Sequence, residues 1–337
     1  MQIAVDAMGG DYAPAEVIAG ARLAVAEYGV YILLVGDEAR IRAELRGEAG
    51  KKVTVVPASE VIRMEEHPVQ AVRRKKDSSI VRAVQLVKEG RAQAMVSAGN
   101  TGAVMAAALL GLGRIEGVDR PALMTLTPNP RGYTVLLDVG ANVDVRAENL
   151  VQFAIMGAAY AETVLKIKVP RVGILSIGEE ESKGNELTLN ALSLMKKEVP
   201  NFIGNVEGRD VFNGRADVVV CDGFVGNVLL KAVEGLAQAL EVMVHQEAAR
   251  SFLAEVALGT GLFFLKGLRR RLDYAEYGGA PLLGVNGVVI VAHGSSKARA
   301  IKNAIRVSIE SVKNRLVETI RAGIARRKPK GREMVNE

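Results

Sequence analysis

Six loops rich in glycine and short polar residues are the places in this sequence where an anion could bind. Each follows a short apolar run, and together they cover residues 6–11, 97–102, 138–144, 176–185, 222–227 and 293–297. Glycine lets a backbone approach an anion closely, and a helix that begins after such a loop offers unpaired N–H groups and the positive end of its dipole. A strand-to-helix turn needs a glycine and a capping residue anyway, so one loop alone has an ordinary structural explanation. Six in one chain predict a polar cleft that accepts anions.

The elements around these loops alternate between short apolar strands and amphipathic helices. Strands are predicted at residues 3–6, 31–36, 53–56, 94–97, 134–138, 171–177, 218–222 and 287–291. Helices are predicted from Pro14 to residue 28 and over 79–89, 101–112, 148–165, 187–197, 225–246 and 296–322. This alternation indicates an α/β fold with a largely parallel sheet flanked by helices. Ligands of such sheets bind at the carboxyl ends of the strands, where the connecting loops gather.

Composition excludes several classes of protein. The chain has 337 residues, which favours two lobes or domains, and its hydrophobic share of 49% excludes an intrinsically disordered chain. One cysteine excludes a disulfide framework, and three scattered histidines make a zinc site an unfavourable interpretation. The N-terminal residues lack the basic start of a secretory signal, and the apolar runs are too short to span a bilayer. A cytoplasmic protein is expected.

Common catalytic motifs are missing or misplaced. There is no phosphate-binding Walker sequence and no nucleophile elbow, and the glycines at 111–117 end a predicted helix instead of opening one. Cys221 follows a valine run, which is typical of a small buried side chain. His293 ends an apolar strand beside Gly294, Ser295 and Ser296, so it is the histidine predicted to be functional. A purely structural, hydrogen-bonded His293 remains an alternative.

Seven longer segments carry a resemblance to a known family. They are DAMGGDYAP from Asp6, VSAGNTGA from Val96, LLDVGANVD from Leu136, GILSIGEEESKGNEL from Gly173, NFIGNVEGRD from Asn201, VVCDGFVGNVLLKAVEG from Val219 and YGGAPLLGVNGVVIVAHGSS from Tyr277. In this order they resemble the bacterial phosphate acyltransferases (PlsX), which are acyl-carrier-protein:phosphate transacylases of phospholipid synthesis. The resemblance covers nearly the whole chain. More distantly, the chain is similar to phosphotransacetylases.

The resemblance implies a two-lobed, isocitrate/isopropylmalate dehydrogenase-like (phosphotransacetylase-like) architecture. The outer lobe is expected to comprise residues 1–135 plus 285–325, and the inner lobe residues 136–284, with an apolar and basic segment at 252–272. Residues 326–337 are expected to form a frayed basic tail.

The implied reaction is the reversible transfer of a long-chain acyl group from acyl carrier protein to inorganic phosphate, which gives acyl phosphate for phosphatidic acid synthesis. Phosphate would attack the thioester directly, with no cofactor and no metal. The catalytic residues are expected to be Lys183, His293 and Asn100. The phosphate- and substrate-binding residues are expected to be Gly99, Thr101, Gly102, Asn142, Asn185, Asp222, Asn227, Ser295 and Ser296. A coenzyme A-dependent phosphotransacetylase-type enzyme and a non-catalytic anion-binding protein are the alternatives.

One departure from the phosphotransacetylase pattern affects the anion site. Their Ser-Arg pair near the C-terminus corresponds here to Ser295, Ser296 and Lys297. The anion-binding role of that arginine therefore has no direct counterpart, and Lys297, Lys183 or Arg209 could replace it.

Basic and apolar surface segments predict the partners. The chain has 44 basic and 38 acidic residues, a net charge of +6, which favours acidic partners. The clusters Arg73, Arg74, Lys75, Lys76 and Arg269, Arg270, Arg271 are expected to dock acyl carrier protein, although a solvated face explains such runs equally well. No nucleic-acid motif is present, and no nucleic-acid partner is expected.

Membrane contact is predicted from the segment 252–272. Leu262, Phe263 and Phe264 lie beside the arginine cluster and could insert into an anionic lipid surface, whereas core packing or a dimer contact is the alternative. The resemblance also implies a homodimer, peripheral membrane association and a functional link to the downstream membrane glycerol-3-phosphate acyltransferase.

Overall fold

The computed structural model describes residues 1–46, 52–248 and 274–327. The strands are β1 (Gln2–Asp6), β2 (Tyr31–Gly36), β3 (Val53–Pro57), β4 (Ala94–Ser97), β5 (Ala122–Asn129), β6 (Gly132–Leu137), β7 (Val172–Leu175), β8 (Phe202–Val206), β9 (Val218–Val220), β10 (Ala280–Leu283) and β11 (Val288–Val291). The helices are α1 (Ala15–Tyr28), α2 (Glu38–Leu45), α3 (Pro68–Arg74), α4 (Ser79–Lys88), α5 (Thr101–Gly111), α6 (Ala147–Thr163), α7 (Glu186–Glu198), α8 (Gly223–Ala248), α9 (Tyr274–Tyr277), α10 (Ala298–Lys313) and α11 (Leu316–Ala325). A 3-10 turn covers Gly208–Val211.

The strands of the described ranges form one sheet with two parallel halves. Its order is β3-β2-β1-β4-β11-β10-β5-β6-β9-β7-β8. Strands β3, β2, β1, β4 and β11 are mutually parallel and are called the β4 half; β6, β9, β7 and β8 are likewise parallel and are called the β9 half. Strands β10 and β5 join the halves through antiparallel pairings on both sides. The prediction of a largely parallel α/β sheet is therefore confirmed.

The β4 half draws its strands from both ends of the chain, whereas the β9 half uses the middle. Three successive antiparallel pairings separate β11 from β6, so the strands of the two halves run in opposite directions. The strands of the β4 half therefore have their carboxyl ends on one side of the sheet, and the strands of the β9 half have theirs on the opposite side. The expected lobe boundaries, 1–135 plus 285–325 and 136–284, stay a prediction.

Both faces of the sheet are covered by helices, which explains why the strands are apolar without alternation. In β2, Ile32 and Leu34 belong to one apolar core, together with Val17 of α1 and Ile305 of α10. Leu33 and Val35 point the opposite way into a second core. A third core packs α6, α7 and α11 against the β9 half.

Several elements differ from the sequence-based expectation. The predicted single helix over 296–322 is wrong: α10 and α11 are separate because Arg315 adopts a left-handed backbone, with φ of 53°. Strands β5, β8 and β10 and helix α3 were not predicted. Pro128 in β5 and Gly204 in β8, whose φ is 93°, interrupt the usual strand pattern.

Two glycine-to-alanine changes are expected to have opposite effects on stability, because Gly20 lies in the close contact of α1 with α10 and Gly235 does not. A Cβ at Gly20 would lie 2.6 Å from the Ala298 carbonyl oxygen and 2.6 Å from Ile301 Cβ. We expect Gly20→Ala to lower the free energy of unfolding by about 1–3 kcal/mol through overpacking. Gly235 in α8 has nothing within 4 Å of its Cβ position among the described residues. Gly235→Ala should therefore raise stability by up to about 1 kcal/mol. Urea unfolding checks both, and equal effects would contradict the packing account.

Candidate functional site

Three loops of the β4 half meet through their glycine backbones. The Asp11 N–H donates to the Gly294 carbonyl at 2.8 Å, which joins the loops after β1 and β11. A Cβ at Gly9 would lie 2.5 Å from the Gly99 nitrogen, so the loop after β4 leaves no room for a side chain there. The structure thus brings the predicted residues Gly99, His293 and their neighbours to one end of this half.

Asp6, at the end of β1, organises these loops from below. Its buried carboxylate accepts the Ser97 hydroxyl at 2.6 Å and the Met8 N–H at 3.1 Å. Ser97 Oγ in turn accepts the Gly99 N–H at 3.0 Å. Burial raises the pKa of Asp6, and these hydrogen bonds oppose that shift. Sequence reasoning missed this role, although an aspartate that ends an apolar strand before two glycines was its signal.

Asn100 ties two segments of backbone together. Its Nδ2 donates to the carbonyl oxygens of Met64 at 2.9 Å, Glu66 at 3.2 Å and Arg63 at 3.3 Å. Its Oδ1 accepts the Ala103 N–H at 3.0 Å and caps α5. The side chain predicted to be catalytic is therefore engaged in holding residues 63–66 beside the start of α5, where Thr101 and Gly102 lie.

His293 is positioned by the serine two residues later. The Ser295 N–H donates to His293 Nδ1 at 3.2 Å, and Ser295 Oγ lies 2.7 Å from the same nitrogen. Because an N–H can only donate, Nδ1 is the acceptor, and a neutral ring carries its proton on Nε2. Ser296 is buried, and its N–H donates to the His293 carbonyl oxygen at 2.9 Å. Lys297 Nζ lies 5.7 Å from the centre of the Tyr12 ring, within the range of a cation–π contact.

In the β9 half, a second buried aspartate organises the loop after β6. Asp138 accepts five N–H groups at 2.8–3.2 Å: the backbone N–H groups of Leu123, Gly140, Ala141 and Asn142, and Asn142 Nδ2. Asn142 Nδ2 also donates to the Pro121 carbonyl at 2.7 Å. Burial raises the pKa of Asp138, and the N–H donors oppose that shift.

The loop after β9 packs directly on the Asp138 loop. The Gly223 N–H donates to the Asn142 carbonyl at 2.7 Å, and a Cβ at Gly140 would lie 3.7 Å from Asn227 Cγ. Asp222 caps α8 by accepting the Val225 N–H at 2.9 Å. The predicted residues Asn142, Asp222 and Asn227 therefore come together. Cys221 is buried, as expected from its valine run, and burial raises the pKa of its thiol.

The loop after β7 holds Lys183 by its backbone. Its carbonyl oxygen accepts Asn205 Nδ2 at 3.1 Å and the Ser176 hydroxyl at 3.2 Å. Asn185 caps α7 by accepting the Thr188 N–H at 2.9 Å. The Lys183 side chain is exposed, and no described carboxylate forms an ion pair with it. A fixed backbone with an available ammonium group suits an anion-binding lysine.

Arg209 is held in ion pairs instead. Its guanidinium lies 2.6 Å from Glu207 and 3.8 Å from Glu179, and Arg215 pairs with Glu179 and with Asp210 at 3.4 Å. The three carboxylates lie close enough together to hold a cation. Since two guanidinium groups already balance them, they provide no argument for a metal, and Arg209 is a poor substitute for an anion-binding arginine.

The basic cluster after α3 is partly occupied. Lys75 Nζ lies 2.6 Å from a Glu66 carboxylate oxygen and 2.7 Å from the Val61 carbonyl, and Arg74 lies 3.2 Å from Glu66. Arg73 and Lys76 are exposed. The second cluster, Arg269, Arg270 and Arg271, lies outside the described residues, as do the segment 252–272 with Leu262, Phe263 and Phe264, and residues 328–337 of the expected tail. Arg327, at the start of that tail, hydrogen-bonds Glu198.

Comparison with known proteins decides the family. A family model described as "Fatty acid synthesis protein" matches residues 1–319. The phosphate acyltransferase of Pelotomaculum thermopropionicum is 60% identical over 332 residues, covering 98% of this chain and 97% of that protein. The phosphate acyltransferase of Moorella thermoacetica is 52% identical over 321 residues, covering 95% of each. The chain belongs to this phosphate acyltransferase family. It is accordingly an enzyme, an acyltransferase of lipid synthesis, as the resemblance implied.

Solved structures confirm the fold expected of a member of this family. The EutD phosphotransacetylase from Staphylococcus aureus superposes with a TM-score of 0.62 at 17% identity, covering 93% of this chain and 94% of that one. A phosphotransacetylase from Streptococcus pyogenes gives 0.61 at 19% identity, with coverage of 96% and 94%. These similarities show a phosphotransacetylase-like fold. Among residues 1–46, 52–248 and 274–327, no helix combines the length and the apolar character needed to cross a membrane.

Replacing the Asp138 carboxylate by the amide of asparagine is expected to cause a large loss of stability. Asp138→Asn would turn an NH₂ group or a weaker acceptor toward the N–H donors that converge there. We expect the free energy of unfolding to fall by about 2–3 kcal/mol. Asp222→Asn is the matched control, because asparagine caps a helix about as well as aspartate. Urea unfolding measures both variants. An equal fall in the free energy of unfolding in the two variants would contradict the role of Asp138.

Glu66 predicts a pH-dependent contribution to stability. The Arg63 N–H, followed by Lys75, lowers the pKa of Glu66 to about 2. The ionised Glu66 therefore contributes its full stabilisation of the folded state when the pH is above the pKa of an unfolded glutamate, about 4.3. This contribution is lost as the pH falls toward 2. The difference in urea midpoint between wild type and Glu66→Gln should be constant between pH 5.5 and pH 7 and should shrink below about pH 4.5. Glu65→Gln, at the exposed neighbour, is the control, and a difference independent of pH would contradict the prediction.

Proposed function

We propose that this chain transfers a long-chain fatty acyl group from acyl carrier protein to inorganic phosphate. The observation that carries the proposal is the 60% identity to a phosphate acyltransferase over 98% of the chain. The products would be acyl phosphate and the free thiol of the carrier, and the acyl phosphate would serve phosphatidic acid synthesis.

The reaction needs no acyl-enzyme intermediate. An oxygen of hydrogenphosphate attacks the thioester carbonyl carbon and the new C–O bond forms. The C–S bond then breaks, and the leaving sulfur takes up the proton that the hydrogenphosphate releases. Phosphate is itself the nucleophile and a thioester is already reactive. The remaining work is to position a dianion against the carbonyl and to stabilise the oxyanion that develops.

Backbone donors and a few side chains would do this work. The Lys183 ammonium and the N–H groups of the glycine-rich loops would bind phosphate, with Gly99, Thr101 and Gly102 at the start of α5. His293 would donate a hydrogen bond from its Nε2–H to the oxyanion or to the leaving sulfur, since its Nδ1 already accepts the Ser295 N–H. Asn100 would act through the backbone it holds. The remaining predicted binding residues are Asn142, Asn185, Asp222, Asn227, Ser295 and Ser296.

The twist of the sheet supports a cleft shared by the loops of the β4 half and the loops of the β9 half. Five strand-to-strand steps separate β4 from β9. At about 20–25° per step the accumulated rotation is about 100–125°. This rotation offsets much of the reversal of strand direction, so that the two sets of carboxyl ends point within about 55–80° of each other. We propose that both sets face a cleft between the lobes 1–135 plus 285–325 and 136–284.

The proposal includes several partners. Acyl carrier protein would dock on Arg73 and Lys76, which are exposed, and on Arg269, Arg270 and Arg271. The enzyme would act as a cytoplasmic homodimer in peripheral contact with the membrane, next to the glycerol-3-phosphate acyltransferase that uses its product. The excess of basic over acidic residues supports attraction to acidic partners of this kind.

Incorporation of labelled inorganic phosphate into acyl phosphate, recovered by lipid extraction, tests the function. Palmitoyl-acyl carrier protein and palmitoyl-coenzyme A serve as alternative donors. We expect product from the carrier-protein donor and much less from the coenzyme A donor. Equal product from both would favour the coenzyme A-dependent alternative, and no product from either would contradict the proposal.

Removing the Lys183 side chain is expected to weaken phosphate binding specifically. Lys183→Ala should raise the KM for phosphate about tenfold or more, because it removes a charge-assisted hydrogen bond to the anion. Lys88→Ala, an exposed lysine in the last turn of α4, is the matched control and should leave this KM unchanged. Unchanged phosphate kinetics in Lys183→Ala would remove Lys183 from the site.

A further inference from the structure

Among the described residues, the loops of the β9 half and the first two turns of α8 carry four large apolar side chains that are more than half exposed, beside the polar ones. Ile177 is 80% exposed, Val143 63%, Phe224 60% and Val228 54%. Scattered apolar residues are ordinary on protein surfaces, whereas a group of them at a binding site is not. These four residues are called the apolar rim.

Backbone contacts and strand register place the rim residues together. Val143 and Phe224 each follow one partner of the hydrogen bond between Asn142 and Gly223. Phe224 and Val228 are four residues apart in α8, so they share one face of the helix. Strands β7 and β9 are parallel neighbours, with Ile174 paired to Val220, so Ile177 lies in the loop that follows the strand next to β9. All four residues therefore follow the carboxyl ends of the neighbouring strands β6, β9 and β7.

A cation and an amide group border the rim. The Lys183 side chain passes over Gly178, the residue after Ile177: a Cβ at Gly178 would lie 3.0 Å from Lys183 Cγ. Asn227, which is exposed, precedes Val228. The surface is thus apolar on one side and offers donors for oxygen atoms on the other.

We propose that the apolar rim binds the hydrocarbon chain of the acyl donor where the chain leaves the reacting carbonyl. This inference rests on the proposed function. Among candidate occupants, an acyl thioester reacting with phosphate has an apolar chain attached directly to a group of oxygen atoms, which matches an apolar surface that borders the Lys183 side chain and Asn227. Each rim residue would then contribute to the preference for long-chain over short-chain donors.

The test compares donors of different chain length on the same carrier. The double variant Ile177→Ser/Phe224→Ser is compared with Val169→Ser/Leu110→Ser, which changes two exposed apolar residues away from these loops. We expect the ratio of kcat/KM for palmitoyl to that for butyryl donors to fall about tenfold in the rim variant and to stay at the wild-type value in the control. An unchanged ratio in the rim variant overturns the inference. Thermal unfolding midpoints verify that both variants fold.

A binding measurement separates this inference from the proposed function. Fluorescent cis-parinarate, displaced by palmitate, is titrated into wild type and the rim variant in the absence of phosphate. About tenfold weaker binding by the rim variant supports the rim even if no donor gives acyl phosphate, in which case only the proposed function fails. Unchanged binding overturns the inference. A rim variant that binds cis-parinarate normally but loses self-association or pelleting with anionic liposomes would assign the rim to a second copy of the chain or to a lipid surface.

Discussion

The buried carboxylate of Asp138, which collects five N–H donors, is the interaction on which the β9 half of the site depends. Removing a charged group from water is costly unless donors replace the water. Here the donors come from the loop that follows β6 and from β5, so satisfying one carboxylate fixes the backbone of that loop from Gly140 to Asn142. Asp6 does the same at the end of β1 through Ser97 and Met8. The same device thus organises both halves of the sheet.

Loops fixed in this way can present backbone N–H groups without further side chains. Glycines 9, 223 and 226 lie where a Cβ would collide with a neighbouring loop, so the loops pack backbone against backbone. A site of this kind is suited to holding an anion and an oxyanion in place, and it needs no nucleophilic serine or cysteine. Cys221, buried beneath the loops, fits this division of work because burial raises the pKa of its thiol.

The sequence carries the local information and leaves out the pairings. Strand ends and helix starts were predictable because apolar runs stop at glycine, aspartate and asparagine, which is why Asn142, Asp222 and Asn227 were found together. The reversal of direction between the halves depends on β5 and β10, short strands whose antiparallel pairing no periodicity reveals. Side-chain partners distant in sequence could not be predicted either. Asn100 donates hydrogen bonds to the backbone of residues 63–66, and Glu207 and Glu179 form ion pairs with Arg209. The roles of Asp6 and Asp138 are visible only once the loops around them are seen.

The loops of both halves are proposed to act on the same reacting phosphate. A double-mutant cycle between Lys183→Ala and His293→Ala, measured as kcat/KM for phosphate with palmitoyl-acyl carrier protein, tests this proposal. If both residues contact one transition state, the double variant should deviate from the sum of the single losses by about 0.5–3 kcal/mol. Additivity within about 0.5 kcal/mol would mean that the two residues act independently and would contradict a shared cleft.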